Sequence, residues 1–305
     1  MRLTTPATTR SRAGTTLAEL LVSLTICAVV ASAFFRTVHQ SLRFLNDHTV
    51  LVEQRAQLQA AAHLSSSLLA DASPPDGDLL ALTDSSVSFR ATIGIALACT
   101  TAGATAEITP LTLAAGIALS AFTDQPQAGD LVARFDEGPL ASAADDHWEL
   151  HTITGVHART GACTSTPFAD PVADASKPGW AFDLSPAPPT TPAAFPLRIL
   201  RPQRLALYHS APEWMLGFTE WNTVSGGWNL IQPVAGALTG GATGPAGVDL
   251  VWHDSLLTPG ASPTSVASLH ATFRAPTRAA LRHPGRAPGV RIDSLGIRLP
   301  FRNRR

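Results

Sequence analysis

The chain has 305 residues, 45% hydrophobic and 15% charged, with a formal net charge of −1. That balance excludes a disordered polyelectrolyte, and it excludes a nucleic-acid binder whose affinity rests on neutralising phosphates. Lys177 is the only lysine, so a Schiff-base lysine and a phosphate-binding loop with its obligatory Lys are almost excluded as well. The 24 Pro and 22 Gly imply many turns.

Residues 1–14 read MRLTTPATTRSRAG, with Arg2, Arg10 and Arg12 and no acid. An apolar run follows, uncharged from Leu20 to Phe35 and closed by Arg36. With 15–19 included it is long enough to cross a bilayer core. The basic flank predicts a cytoplasmic N-terminus and an exported remainder, a single-pass inner-membrane topology. Three readings fit: a secretory signal with Ala31-Ser32-Ala33 as its cleavage site, a plain single-span anchor, and a processed filament-subunit leader.

The third rests on Gly14 followed by Thr15-Thr16-Leu17-Ala18-Glu19-Leu20-Leu21-Val22. This resembles the type IV prepilin leader: short, basic and ending in Gly, with a glutamate at the fifth mature position of an apolar helix. Thr15 stands where that family usually carries Phe or Met. The resemblance implies cleavage by a prepilin peptidase between Gly14 and Thr15, N-methylation of the new terminus, and an assembly role for Glu19. An acid in an inserted helix costs on the order of 2.5–3.5 kcal/mol at the centre, less near the interface. A signal peptide has no use for it. A pilin would pair it with the terminal ammonium of a neighbouring subunit, since no partner is expected within its own.

Beyond the apolar run, Phe35, Val38, Leu42, Leu45, Thr49, Val52 and Ala56 recur at steps of three and four, and Leu58, Ala61, Ser65 and Leu68 continue after a shift. No Gly or Pro interrupts the chain from Thr15 to Ser73, and Pro74-Pro75-Asp76-Gly77 stops it. One helix from Thr15 to Ala72, about 87 Å long, is predicted. Residues 15–36 would cross the membrane or form a filament core, and 37–73 would be an amphipathic extension packed on a head at 78–305.

The head reads as β. Ser86–Cys99 alternates, with Val87, Phe89, Ala91, Ile93, Ile95, Leu97 and Cys99 on one face. Leu111–Leu119 follows, then a loop at 125–130, then strands at Leu131–Phe135 and Trp148–Ala158. Pro167–Pro196 reads as a Pro-rich connection. Further strands are predicted at Leu197–Leu200, Arg204–His209, Trp214–Thr219, Trp228–Ile231, Val248–His253, Val266–Phe273 and Ile292–Phe301, with Ser225-Gly226-Gly227 as a hairpin turn. The expected class is α+β: a long N-terminal helix and a mostly antiparallel β head. In this order of parts, including Gly129-Asp130-Leu131-Val132 and Gln232-Pro233-Val234, the chain resembles PilW-type minor pilins and the J-type pseudopilins of type II secretion. The resemblance implies a non-enzymatic subunit without cofactor, whose partners are other pilins, the prepilin peptidase and the inner membrane. The alternative is a secreted or tethered β-domain enzyme or carbohydrate-binding protein behind an ordinary signal peptide.

Cys27 lies in the apolar run as a filler. Cys99 and Cys163 form an even pair in an exported domain and are expected to be bridged, against two unrelated thiols. His147 and His151, with Asp145, Asp146 and Glu149, suggest a metal. On a strand, however, residues i and i+4 are about 13 Å apart, so no metal site is expected. Residues 240–247 lack the Lys of a phosphate loop, and the chain has neither GxSxG nor HExxH. Trp214, Trp221, Trp228 and Trp252 are candidates for core packing or for a contact surface.

Overall fold

A computed structural model describes residues 16–138, 146–161, 163, 169–189, 194–241, 246–281, 287 and 289–301. The first element, α1, is a single 53-residue helix, Leu17–Leu69, about 80 Å long at 1.5 Å per residue. It ends three residues before the expected Ala72. Ser73 precedes Pro74, whose ring disfavours helical backbone in its neighbour, and Ser73 is extended. Pro74–Asp76 then form a 3-10 turn closed by Gly77 in the left-handed region at φ 78°. The turn is pinned by the Ser73 N–H, which donates to Asp78 Oδ2 at 2.8 Å.

Fourteen strands follow in chain order: β1 Leu79–Leu82, β2 Ser86–Ala102, β3 Thr105–Ile108, β4 Ala121–Phe122, β5 Leu131–Asp136, β6 His147–Thr160, β7 Pro178–Ser185, β8 Phe195–Ser210, β9 Glu213–Asn222, β10 Gly227–Trp228, β11 Gln232–Leu238, β12 Val248–His253, β13 Ser268–Pro276 and β14 Ile292–Pro300. Every pairing between them is antiparallel. The protein is thus α+β, with one long apolar N-terminal helix before an antiparallel β head.

Two strands organise the head. β2 and β8 lie side by side from Ser86↔Ala206 to Ala98↔Phe195. Past its midpoint β2 also pairs with β3, β3 with β7, β7 with β6, β6 with β5, and β5 with the first part of β8. The ring β2-β3-β7-β6-β5-β8 closes on itself as a six-stranded barrel. Its interior is filled by Ile93, Ala96, Ala98, Ala106, Ile108, Val132, Ile153, Phe182, Leu184, Phe195, Leu197 and Ile199. At the other end, the same two strands continue into an open sheet with β1, β9, β10 and β11. This sheet, α1 and the separate meander β12-β13-β14 enclose a second core around Leu58, Phe89, Leu216, Leu269, Phe273 and Phe301.

A β-bulge marks the passage from one core to the other. Thr92 faces Leu200 and Gly94 faces Ile199, so β2 carries one extra residue there. The bulge inverts the expected alternation: Val87 and Phe89 are buried before it, Ala96 and Ala98 after it, and Ile95 is 55% exposed. Gly94 is required at this point, because a Cβ would lie 2.3 Å from the Phe122 ring that covers it.

Other expectations are also corrected. Leu111–Leu119 is a series of turns with no strand. The Pro-rich connection contains β7, whose Ala181, Phe182 and Leu184 complete the barrel wall. The two strands expected at Leu197–Leu200 and Arg204–His209 are one. Pro202 sits where the partner on one edge changes from β5, paired through Leu200, to β9, paired from Gln203, so the missing N–H costs no ladder bond there. The stripe from Phe35 to Ala56 is not the docked face: all seven of its residues are exposed. The docked face is Gln54, Leu58, Ala61, Ala62, Ser65 and Leu69. Small side chains bring the helix close. Gln54 Nε2 donates to the Ala275 carbonyl at 2.5 Å, and Gln57 Oε1 accepts from the Gly236 N–H at 3.2 Å.

Candidate functional site

The N-terminal half of α1 is exposed along its length. An 18-residue window in it has a mean hydropathy of 2.2 and is 0% buried. The helix is long and apolar enough to cross a membrane, as a single-pass protein or a signal anchor does. Free Cys27 is exposed on the same segment. Gly14 and Thr15, the expected processing pair, lie outside the described residues, as does the basic leader.

Glu19 begins this helix in a specific way. Thr16 is the N-cap: its Oγ1 accepts from the Glu19 N–H at 3.3 Å, and Glu19 Oε2 accepts from the Thr16 N–H at 3.0 Å. This reciprocal capping box satisfies two of the helix's orphan donors. The expectation that Glu19 has no partner within its own subunit is therefore corrected. The T-x-x-E spacing of Thr16 and Glu19 carried that signal in the sequence. The capping bond uses one carboxylate oxygen and leaves the negative charge in the first turn, where the helix dipole favours it.

On the barrel's outer wall Cys99 and Cys163 are joined by a disulfide, with Cα atoms 5.2 Å apart and a sequence separation of 64. Both are buried, forming a small cluster apart from the two main cores. The bridge ties β2 to the segment between β6 and β7.

The Gly129-Asp130 pair has a structural role. Gly129 is in the left-handed region at φ 94°. Fully buried Asp130 accepts from Arg201 Nε and Nη2, both at 2.8 Å, and Asp124 also pairs with Arg201 Nη1. These carboxylates raise the Arg201 pKa, with the Asp130 hydrogen bonds as the main cause.

The four Trp do not form one surface. Trp252 is buried and donates to the Thr83 carbonyl at 3.2 Å, and Trp214 lies against His209. Trp221 and Trp228 meet edge to face at 5.4 Å across the β9–β10 hairpin.

His147, Glu149 and His151 lie on β6 on the barrel-interior face, beyond Ile153. Opposite them on β5 stand Asp136 and Arg134, which the sequence reading had not joined to them. Asp146 is a residue before β6, and Asp145 lies outside the described residues. No protein-family model, curated protein or solved structure matches the chain.

Proposed function

We propose that the chain is a minor pilin or pseudopilin: a non-enzymatic subunit that assembles through its N-terminal helix into a type IV pilus or type II secretion-like filament. The observation that carries this reading is the division of α1. Its apolar first half is exposed along its length, while its second half is docked on the head by Gln54, Leu58, Ala61, Ala62, Ser65 and Leu69. A bare apolar half-helix held rigidly on a folded head needs a membrane, and then other helices, to cover it. A removable signal peptide needs no continuous helix running 53 residues into the fold. The subunit would be inserted in the inner membrane with its N-terminus cytoplasmic. The prepilin peptidase would cut between Gly14 and Thr15 and leave Glu19 as the fifth residue. The helices would then pack into a bundle, with the Glu19 charge facing the terminal ammonium of a neighbour.

N-terminal sequencing or mass spectrometry of the membrane-extracted protein tests this. The mature chain should begin at Thr15. A chain beginning at Phe34 would overturn the proposal and return the signal-peptide reading.

A further inference from the structure

The meander β12-β13-β14 has two outer edges, and they differ. On the β12 side the outward backbone groups are used: the Leu250 N–H donates to the Asp84 carbonyl at 2.7 Å, and the Trp252 carbonyl accepts from the Gly260 N–H at 2.9 Å. β14 pairs with β13 alone. It is nine residues long, and no bulge interrupts its register from Ile292 to Pro300. The Thr277 N–H donates to the Arg291 carbonyl and the Phe301 N–H to the Ala267 carbonyl. The odd-numbered residues of this stretch therefore turn their backbone groups to β13, and those of Ile292, Ser294, Gly296 and Arg298 point away from the sheet. The Ser294 N–H turns back to Asp293 Oδ1 at 2.9 Å. The other three N–H groups and all four carbonyls meet no partner among the described residues.

An open edge of this length is normally blunted by a bulge, an inward charge or a proline. Pro300 stands only at the end of β14, and Asp293, near its start, is taken by Arg55 of α1 at 3.0 Å. Between them the strand is bare. Leu295, Ile297 and Leu299 face the core, are only partly buried, and end its apolar wall at this edge. Ser294, Gly296 and Arg298 are exposed on the other face, with Arg298 across from His270. Charge is concentrated here as well. Residues 278–305 hold eight Arg and one acid, Asp293, while the rest of the chain holds 14 basic and 22 acidic residues. With Asp293 engaged, Arg291 and Arg298 are exposed without an acidic partner among the described residues.

We propose that β14 receives an extended, acidic segment of a partner protein as a fourth strand of the meander. Main-chain bonds to the outward groups of β14 supply affinity, and the alternation of side chains supplies specificity. Every second residue of the incoming strand is apolar and continues the row of Leu295, Ile297 and Leu299. The residues between are Asp or Glu, set beside Arg291 and Arg298. A nucleic acid offers the charge but no ladder of N–H and C=O groups, so the open edge selects a polypeptide. The site lies on the head and does not depend on the filament reading.

The probe is a capped, fluorescently labelled peptide as long as β14 that alternates Val with Glu. It is titrated into the full chain in detergent and followed by anisotropy. It should bind saturably, one per chain, and a Val–Lys counterpart should bind about tenfold or more weakly. Arg298→Glu, at an exposed position that leaves the β13 ladder intact, should weaken binding about fivefold. Two further peptides are N-methylated, one at every Glu and one at every Val. Only one of these sets turns its N–H groups toward β14, so one peptide should lose about tenfold or more and the other should bind as before. A benzophenone-bearing peptide should crosslink within residues 291–300. Absence of saturable binding, equal effects of the two methylations, or crosslinks confined to other parts of the chain would each overturn the proposal. Retention of duplex DNA by a chain that does not bind the peptide would assign the arginines to a polyanion and overturn it equally.

Discussion

The two halves of α1 are continuous in backbone and opposite in circumstance. From Leu17 to Phe35 large apolar side chains stand exposed: Leu17, Leu20, Leu21, Val22, Leu24, Ile26, Val29, Val30, Phe34 and Phe35. From Gln54 to Leu69 the helix buries a narrow face of small and medium residues and one glutamine. The hydrophobic half is the one that does not pack on the head. Stability in the docked half comes from close approach, with Ala61 and Ala62 letting the sheet come near and Gln54 bonding to backbone carbonyls. Mean hydropathy therefore does not identify the half of a helix that holds a fold together. It identifies the half that needs a different environment.

That contrast can be broken in several ways. The largest effect should follow deletion of residues 16–46, which should abolish membrane association while the head keeps its cooperative thermal transition. Loss of the transition would show that the free half supports the fold.

Reducing or replacing the Cys99–Cys163 bridge should cost about 4 kcal/mol by loop entropy. Cys99→Ser measured by denaturant unfolding, together with alkylation of both thiols only after reduction, checks this. Alkylation of both thiols in the folded protein without reductant would refute it.

Leu58, fully buried, should cost about 3 kcal/mol as Leu58→Ala. Leu24→Ala on the exposed half should leave head stability unchanged. Equal losses would erase the distinction between the halves.

Glu19 needs a paired comparison, because the capping box gives it a local role. Glu19→Gln keeps the side-chain acceptor of the box and removes the charge, while Glu19→Ala removes both, at a helix-start cost of about 1 kcal/mol. If the charge makes the contact between subunits, both variants should be depleted from sheared filaments to the same extent. If Gln assembles normally and Ala does not, capping is the role. The head should melt identically in both.

The smallest effect concerns pH. The Asp183 carboxyl is held below its usual pKa, first by the Thr105 hydroxyl and then by His157, each 2.7 Å away. A depressed carboxyl stabilises the fold above the ordinary Asp range and loses that contribution as pH falls through its folded pKa. The small difference in melting temperature between the wild type and Asp183→Asn should be present above about pH 4 and should close below it.

The sequence alone determined the features whose causes are local. The helix was legible because nothing from Thr15 to Ser73 can break it and Pro74 must. Its start carried a local signal too, Thr16 and Glu19 three residues apart, which the expectation of a helix from Thr15 with a partnerless Glu19 passed over. Val248–His253 was readable to the residue, because alternation and flanking turns are short-range signals.

Tertiary structure decided the rest. The bulge at Gly94 arises from pairing with β8, and it moves the inward set from Val87 and Phe89 to Ala96 and Ala98. β7 does alternate, with Trp180, Phe182 and Leu184 against Ala181, Asp183 and Ser185, but it lies within a Pro-rich stretch that reads as a connection, and its pairing with β3 and β6 is what places it in the barrel. The register of the β5–β6 hairpin sets Asp136 opposite His147 and Arg134 opposite Glu149, neighbours that no reading along one strand contains. The docked stripe of α1 was likewise chosen by the head: two apolar stripes were available, and only one met a surface of matching shape. A residue's own type and near neighbours set helix and turn, whereas ladders, cores and polar clusters depend on which distant segments arrive opposite them.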